Sequence, residues 1–365
     1  MEVHWIDTDD ALRSWCDRLA NEERIAVDTE SNSMFAYFER ICLVQISTAW
    51  VDLLVDPLVV DLAPLGTLLE DASIQKVLHG ADYDVLSFKR SLGFRICNLF
   101  DTMIAARVLG WPKCGLAALL SEHFDHAANK AYQRYDWGQR PLSSSALEYA
   151  RYDTHYLLRL CALQTEALKA SPHLELFERA CSRQCAVEPR TKPFDPDGYY
   201  KMKGARDLDE AGRAVLKAAF AWRDEKAREL DRPPFRVMPE SAMLGLARTK
   251  PSDVRALGHI KGMPRPVTRR DGPALVELVA AASGAPCPKP SRSKSPADRD
   301  LGLLMDALKA WRKGEAQRRG VEPEIILDKA SLLAVAEAGA IDALGPWERD
   351  HYGTSMAAAL QATQP

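Results

Sequence analysis

The chain has 365 residues, 47% hydrophobic and 27% charged, the composition of an ordinary globular protein long enough for two or three domains. No apolar run approaches the roughly 18 residues of a membrane span, and the start, MEVHWIDTDD, lacks the basic and apolar regions of a signal peptide, so no membrane association and a cytoplasmic location are expected. The net charge of -3 conceals a split: residues 1–189 carry 18 Lys+Arg against 27 Asp+Glu, residues 190–294 carry 22 against 13, and residues 295–365 carry 8 against 11. Such a balance fits a front segment that holds cations and a middle one that attracts a polyanion.

Residues 24–60 read as three extended runs, RIAVDTE, RICLVQISTAW and WVDLLVD, which predict an antiparallel meander. A helix follows in DLAPLGTLLEDAS, opened by Pro64, then a short strand in IQKVLHG. VLSFKRSLG predicts a helix closed by Gly93, FRICNLFDT a strand, and MIAARVLG the next helix. From there to about residue 189 the pattern is mainly helical, so the fold class expected is α/β with a mixed sheet. Residues 186–204 and 285–297 are Pro-rich connectors. Beyond them the helical stretches from Ala221 and from Ala310 repeat each other at a constant offset of 89: Trp222 matches Trp311, Ala227 matches Ala316, Pro234 matches Pro323, and Leu244 matches Leu333. The eight cysteines include no CxxC pair, and Cys181 and Cys185 have no nearby ligands to complete a zinc site, so reduced, buried thiols are expected.

Asp28 and Glu30, two apart after an apolar run, would share one face of a strand. Tyr149 and Asp153, four apart, would lie one turn apart on a helix opened by Ser143–Ser145, where Glu148 completes a capping box with Ser145. Asp82 and Asp84 suit a helix N-terminus, and Asp101 suits an N-cap. Taken singly, each has an ordinary structural explanation. Taken together, carboxylates converging in a fold repel unless cations lie between them, and hard oxygen ligands suit Mg²⁺ or Mn²⁺.

The set DTE at 28–30, HGADYD at 79–84 and YARYD at 149–153 resembles the three motifs of the ribonuclease D family of DEDD exonucleases, in the branch whose third motif carries tyrosine. RICLVQIS at 40–47, GFRICNLFDTMIAARVLG at 93–110 and KAYQRYDWGQRPL at 130–142 extend the likeness over roughly residues 1–185. The repeated helical segments resemble HRDC domains, the second copy more distantly. The resemblance implies a ribonuclease H-like mixed-sheet exonuclease domain at 1–190, followed by two small all-α HRDC-like domains at 205–285 and 298–363. It further implies two divalent ions about 4 Å apart. Asp28 would bridge them, Glu30 and Asp153 would hold the one carrying the nucleophilic water, Asp84 would serve the other, and Tyr149 would orient the water. Met34 and Phe35, on a strand continuing from Glu30, would pack on the terminal base, although core packing is the commoner role for each. Lys130, Gln133 and Arg140 would touch phosphates. The activity implied is 3′–5′ exoribonucleolysis releasing nucleoside 5′-monophosphates from transfer RNA precursors and other small structured RNAs, with no obligate protein partner. Rivals are a DNA exonuclease and a silent nucleic-acid-binding protein of the same fold, the latter opposed by the intact set of acids.

Overall fold

In the computed structural model, which describes residues 1–127, 131–189, 193–287, 289 and 296–362, the strand signals gather into one six-stranded sheet. The strands are β1 (Glu2–Ile6), β2 (Arg24–Ser31), β3 (Ile41–Ser47), β4 (Val51–Val55), β5 (Gln75–Leu78) and β6 (Leu99–Asp101), in spatial order β1-β4-β3-β2-β5-β6. β3 and β4 are antiparallel, with Gln45 opposite Leu54 and Ser47 opposite Asp52, whereas β1 runs parallel to β4, β2 to β5 and β5 to β6. The sheet is therefore mixed, as the α/β reading required. β1 extends the expected meander by an edge strand that the sequence concealed, because only Ile6 of EVHWI is buried. β6 is shorter than FRICNLFDT implied, since Asn98 adopts a left-handed φ of 53° just before it.

The helices beside the sheet are α1 (Asp9–Leu19), α2 (Ala63–Glu70), α3 (Asp82–Leu92), α4 (Thr102–Val108), α5 (Leu116–Phe124), α6 (Ser144–His155), α7 (Leu157–Lys169) and α8 (Leu174–Ala186). α3 ends on Gly93 at φ 74°, the left-handed cap that only glycine adopts without strain. α6 begins two residues earlier than the capping box Ser145/Glu148 required: its cap is Ser143, whose hydroxyl accepts from the Ala146 N–H. β3 and β4 are buried along their whole lengths, and Ile25, Ala26 and Val27 of β2 are fully buried, so the strands leading to the acidic residues are covered on both faces.

The two helical repeats follow the 89-residue offset in structure as well as sequence. α9 (Glu210–Glu229), α10 (Pro234–Val237), α11 (Glu240–Thr249), α12 (Val254–Gly258) and α13 (Arg265–Ser283) form the first. α14 (Pro296–Arg319), α15 (Pro323–Ile326), α16 (Lys329–Ala338) and α17 (Pro346–Gln361) form the second, and α10 and α11 map onto α15 and α16 residue for residue. Each module uses the same brace, an arginine donating to the carbonyl that ends its short helix: Arg223 to Met238 at 3.2 Å and Arg312 to Leu327 at 2.9 Å.

The chain divides into two compact units that do not follow the boundaries drawn from the sequence. One comprises Met1–Glu30, Ile41–Pro189 and Ser293–Pro365, so the second module joins the core of the sheet domain. Arg183 of α8 bonds Glu348 at 3.0 Å and the Ile325 carbonyl at 2.7 Å, while Trp347 donates to Glu175. The other unit is Ser31–Arg40 with Arg190–Arg292, and has its own core around Leu216, Leu246 and Leu275. Within it the ten-residue segment is pinned by Asp231, which accepts from the Tyr37 N–H at 3.0 Å and the Phe38 N–H at 2.9 Å. The Tyr37 hydroxyl bonds Asp224 at 3.1 Å.

Candidate active site

β2 supplies Asp28 and Glu30 at its exposed end, where the buried run Ile25-Ala26-Val27 gives way to half-buried positions. α6 supplies Asp153 from its last turns, and carboxylate oxygens of Asp28, Glu30 and Asp153 all lie within 4.8 Å of one another. Asp84, in the first turn of α3, is buried at 5% exposure and accepts from the Thr29 hydroxyl at 2.5 Å. It stands outside the close trio but near enough for its charge to act on Asp28, Glu30 and Asp153. None of the four forms an ion pair among the described residues.

The electrostatics follow from that crowding. Burial first, then the charge of neighbouring carboxylates, pushes Glu30 up to about 9 and holds Asp28 well above the usual carboxylate range. Asp153 rises to about 7, from burial and then from Asp84. Asp84 also rises to about 7 because of burial, against the opposing bond from Thr29. Tyr149, one helical turn before Asp153, is likewise pushed above the ordinary phenol value by burial and then by Asp153, so its hydroxyl keeps its proton at neutral pH. Its ring lies parallel to Trp137 at 6.1 Å and tilted against Tyr132 at 5.5 Å, which fixes where the hydroxyl sits. The hard, all-oxygen and uncompensated donor set fits divalent magnesium or manganese better than a softer metal.

The remaining residues singled out from the sequence fare differently. Gln133 lines a cavity of about 590 Å³ together with Leu116, His126, Tyr149, Tyr152 and Asp153. Lys130 lies outside the described residues. Arg140 is not free to meet phosphate: its guanidinium bonds Asp56 at 2.6 and 2.5 Å and the carbonyls of Cys42, Trp137 and Gln139. That correction has a local cause, since Asp56 is 3% exposed and needs a cation. Met34 and Phe35 do not continue the strand, because β2 ends at Ser31 and a turn follows in which the Phe35 and Ala36 N–H groups bond the Asn32 carbonyl. Met34 is 45% exposed, and the Phe35 ring is covered by the Arg236 guanidinium at 4.1 Å within the second unit.

Asp101 does more than the N-cap expected of it. Besides the Met103 and Ile104 N–H groups of α4, it accepts from Gly80 at 2.9 Å and Ala81 at 2.8 Å, the turn from which α3 departs with Asp84. Only the position of aspartate before a helix was visible in sequence; the second pair of donors comes from twenty residues away.

These features meet known proteins over the whole chain. A 3′-5′ exonuclease model matches residues 3–168, and an HRDC domain model matches residues 212–279 and 303–360. The chain is 31% identical to a ribonuclease D of Pseudomonas paraeruginosa over 99% of its own length and 98% of that protein's. Among solved structures, the Escherichia coli RNase D described as an exoribonuclease involved in structured RNA processing aligns over 99% of both chains with a TM-score of 0.69 and 27% identity. The catalytic core of RRP6 from Trypanosoma brucei aligns over 78% of this chain and 80% of its own, with a TM-score of 0.72 and 31% identity. Full-length similarity to a ribonuclease D, with the exonuclease and both HRDC matches in order along the chain, shows that the chain belongs to the ribonuclease D family.

Proposed function

We propose that the acidic cluster is a divalent-metal centre with which the chain shortens RNA from the 3′ end. As a member of the ribonuclease D family the chain is a 3′–5′ exoribonuclease; the inference concerns the residues that do the work. It rests on one observation: three carboxylates within 4.8 Å, carrying raised proton affinities and no ion pair among the described residues. Asp28, Glu30, Asp84 and Asp153 would hold two ions, Mg²⁺ or Mn²⁺. When bound, these supply the positive charge that acidifies a nucleophilic water and offsets charge developing at phosphorus.

The protein's own part is placement. Tyr149, protonated, donates a hydrogen bond and orients the water; a general base would need a far lower proton affinity. The cavity along α6 receives the terminal nucleoside, with Gln133 and the Tyr152 ring on its wall. Exposed Arg255, Lys261, Arg265 and Arg269 of the second unit form no ion pair among the described residues, which suits them to phosphates farther along the strand. Transfer RNA precursors and other small structured RNAs are the substrates this reading favours, in line with the words describing the E. coli relative.

The test uses 5′-labelled RNA and DNA of one sequence with Mg²⁺ or Mn²⁺, with and without chelator. A ladder shortening from the 3′ end of RNA, abolished by chelator and by Asp28→Asn, is expected, while RNA binding by Asp28→Asn persists. Equal shortening of DNA would overturn the RNA assignment, and chelator-resistant activity would overturn the metal centre.

A further inference from the structure

Asp52 of β4 is a carboxylate that the nuclease centre does not contain, yet α6 is fastened to it. The residue is 1% exposed. Its Oδ2 accepts from Arg151 Nε at 2.6 Å and from His155 Nδ1 at 2.8 Å, so the ring nitrogen that faces the carboxylate is a donor. Its Oδ1 accepts from the Ser47 hydroxyl at 2.7 Å, and Ser47 in turn lies 2.7 Å from the Thr154 hydroxyl. One buried carboxylate thus ties Arg151, Thr154 and His155 of α6 to two adjacent strands.

Asp153 sits between those anchors in sequence but not on their face. At about 100° per residue, Arg151 and His155 share one side of the helix, and Asp153 projects about 200° away from Arg151. Elsewhere α6 packs through Ala146 and Ala150 in a cluster with Cys42, Leu43 and Leu54, and through Leu147 and Tyr149 beside Trp137 and Tyr132 nearer its start. Alanine against leucine sets how near the helix lies, but such a smooth contact resists rotation and sliding weakly. Directional charge-assisted bonds supply that resistance.

We propose that Asp52 is a positioning residue for the nuclease centre: through Arg151, His155 and the Ser47–Thr154 bridge it fixes the rotation and axial register of α6, and with them the approach of Asp153 to Asp28 and Glu30. This rests on the reading of those three carboxylates as the metal-holding set. A misplacement of about 1 Å can lower turnover about 100-fold, and loss of an outer partner of a ligand typically weakens metal affinity about 10- to 100-fold.

The experiment compares full-length wild type, Asp52→Asn and Leu12→Ala, the last a core truncation in α1 in a hydrophobic cluster other than the one that holds Ala146 and Ala150 of α6. Mn²⁺ affinity is read by electron paramagnetic resonance titration, kcat and KM on single-stranded RNA, and Tm by thermal melting. Asp52→Asn is expected to weaken Mn²⁺ binding and lower kcat by about 10- to 100-fold with KM for RNA within about twofold, whereas Leu12→Ala lowers Tm alone. Wild-type Mn²⁺ affinity in Asp52→Asn overturns the proposal, as does an equal shift in Leu12→Ala. Should Asp52→Asn fail to fold, Ser47→Ala removes one link of the same network, and unchanged affinity there is equally fatal. A wild type that binds no Mn²⁺ overturns the metal reading and the tether's role with it, an outcome distinct from a metal-binding wild type with an indifferent Asp52→Asn.

Discussion

Replacing Glu30 by glutamine should stabilise the metal-free protein at alkaline pH, although it removes part of the active site. The Glu30 carboxyl is raised from 4.5 to about 9 by burial and then by Asp153 and Asp84. A carboxyl with a raised value in the folded state binds more protons folded than unfolded, so its stabilising effect is complete below about pH 4 and is lost as pH climbs toward 9. At pH 8.5 the ionisation penalty from this one group is at most about 5 kcal/mol, and at pH 5.5 about 1 kcal/mol. Solvent entering a half-buried site and relaxation of the carboxylates reduce the alkaline figure to about 1–2 kcal/mol. At about 2–4 °C per kcal/mol, the variant should melt roughly 2–8 °C above wild type in chelator at pH 8.5 and nearly level with it at pH 5.5. Mn²⁺ should reverse the order, because wild type gains about 2.7 kcal/mol at one hundred times its dissociation constant while the variant gains little. Differential scanning calorimetry at both pH values, with chelator and with Mn²⁺, reads all four states. A variant less stable than wild type in chelator at pH 8.5, or one that keeps the full Mn²⁺ gain, would refute the account of the cluster.

Tyr149→Phe keeps the ring contacts to Trp137 and Tyr132 but removes the hydroxyl, so kcat should fall about 10- to 100-fold with Mn²⁺ affinity unchanged in the same titration. Arg183→Ala strands Glu348 without its buried partner, and denaturant unfolding should show a loss of about 3–5 kcal/mol from the unit that holds the sheet. Arg265→Gln with Arg269→Gln should weaken RNA binding across sequences alike and reduce the slope of log affinity against log salt by roughly 1–2, measured by fluorescence anisotropy.

The legible part of this molecule was local. The DTE strand end, the helical spacing of Tyr149 and Asp153 and the 89-residue repeat each express a periodicity of two, of about four, or of a whole module, and each element formed where its pattern lay. Three of the acidic residues marked by those patterns converge in space, and the fourth stands close by. What stayed hidden depended on partners distant along the chain. Arg140 reads as a free cation until Asp56 is brought to it from 84 positions away. Met34 and Phe35 read as a continuing strand, but tertiary contacts from residues 224–236 draw the segment into a turn. Asp52 drew no notice within WVDLLVD, because its meaning lies in Arg151 and His155.

The ten-residue excursion between β2 and β3 gives the smaller unit an unusual history on the ribosome. Its first ten residues emerge early, and the side chains that bond them emerge about 190 residues later, so the unit cannot close until most of the chain has been made. Until then the Tyr37 and Phe38 N–H groups lack the Asp231 carboxylate that accepts from them. The same order bears on dissection by truncation. A fragment ending near residue 190 is not the larger unit with the smaller one cleanly removed; it carries a severed piece of the smaller one, attached directly to Glu30.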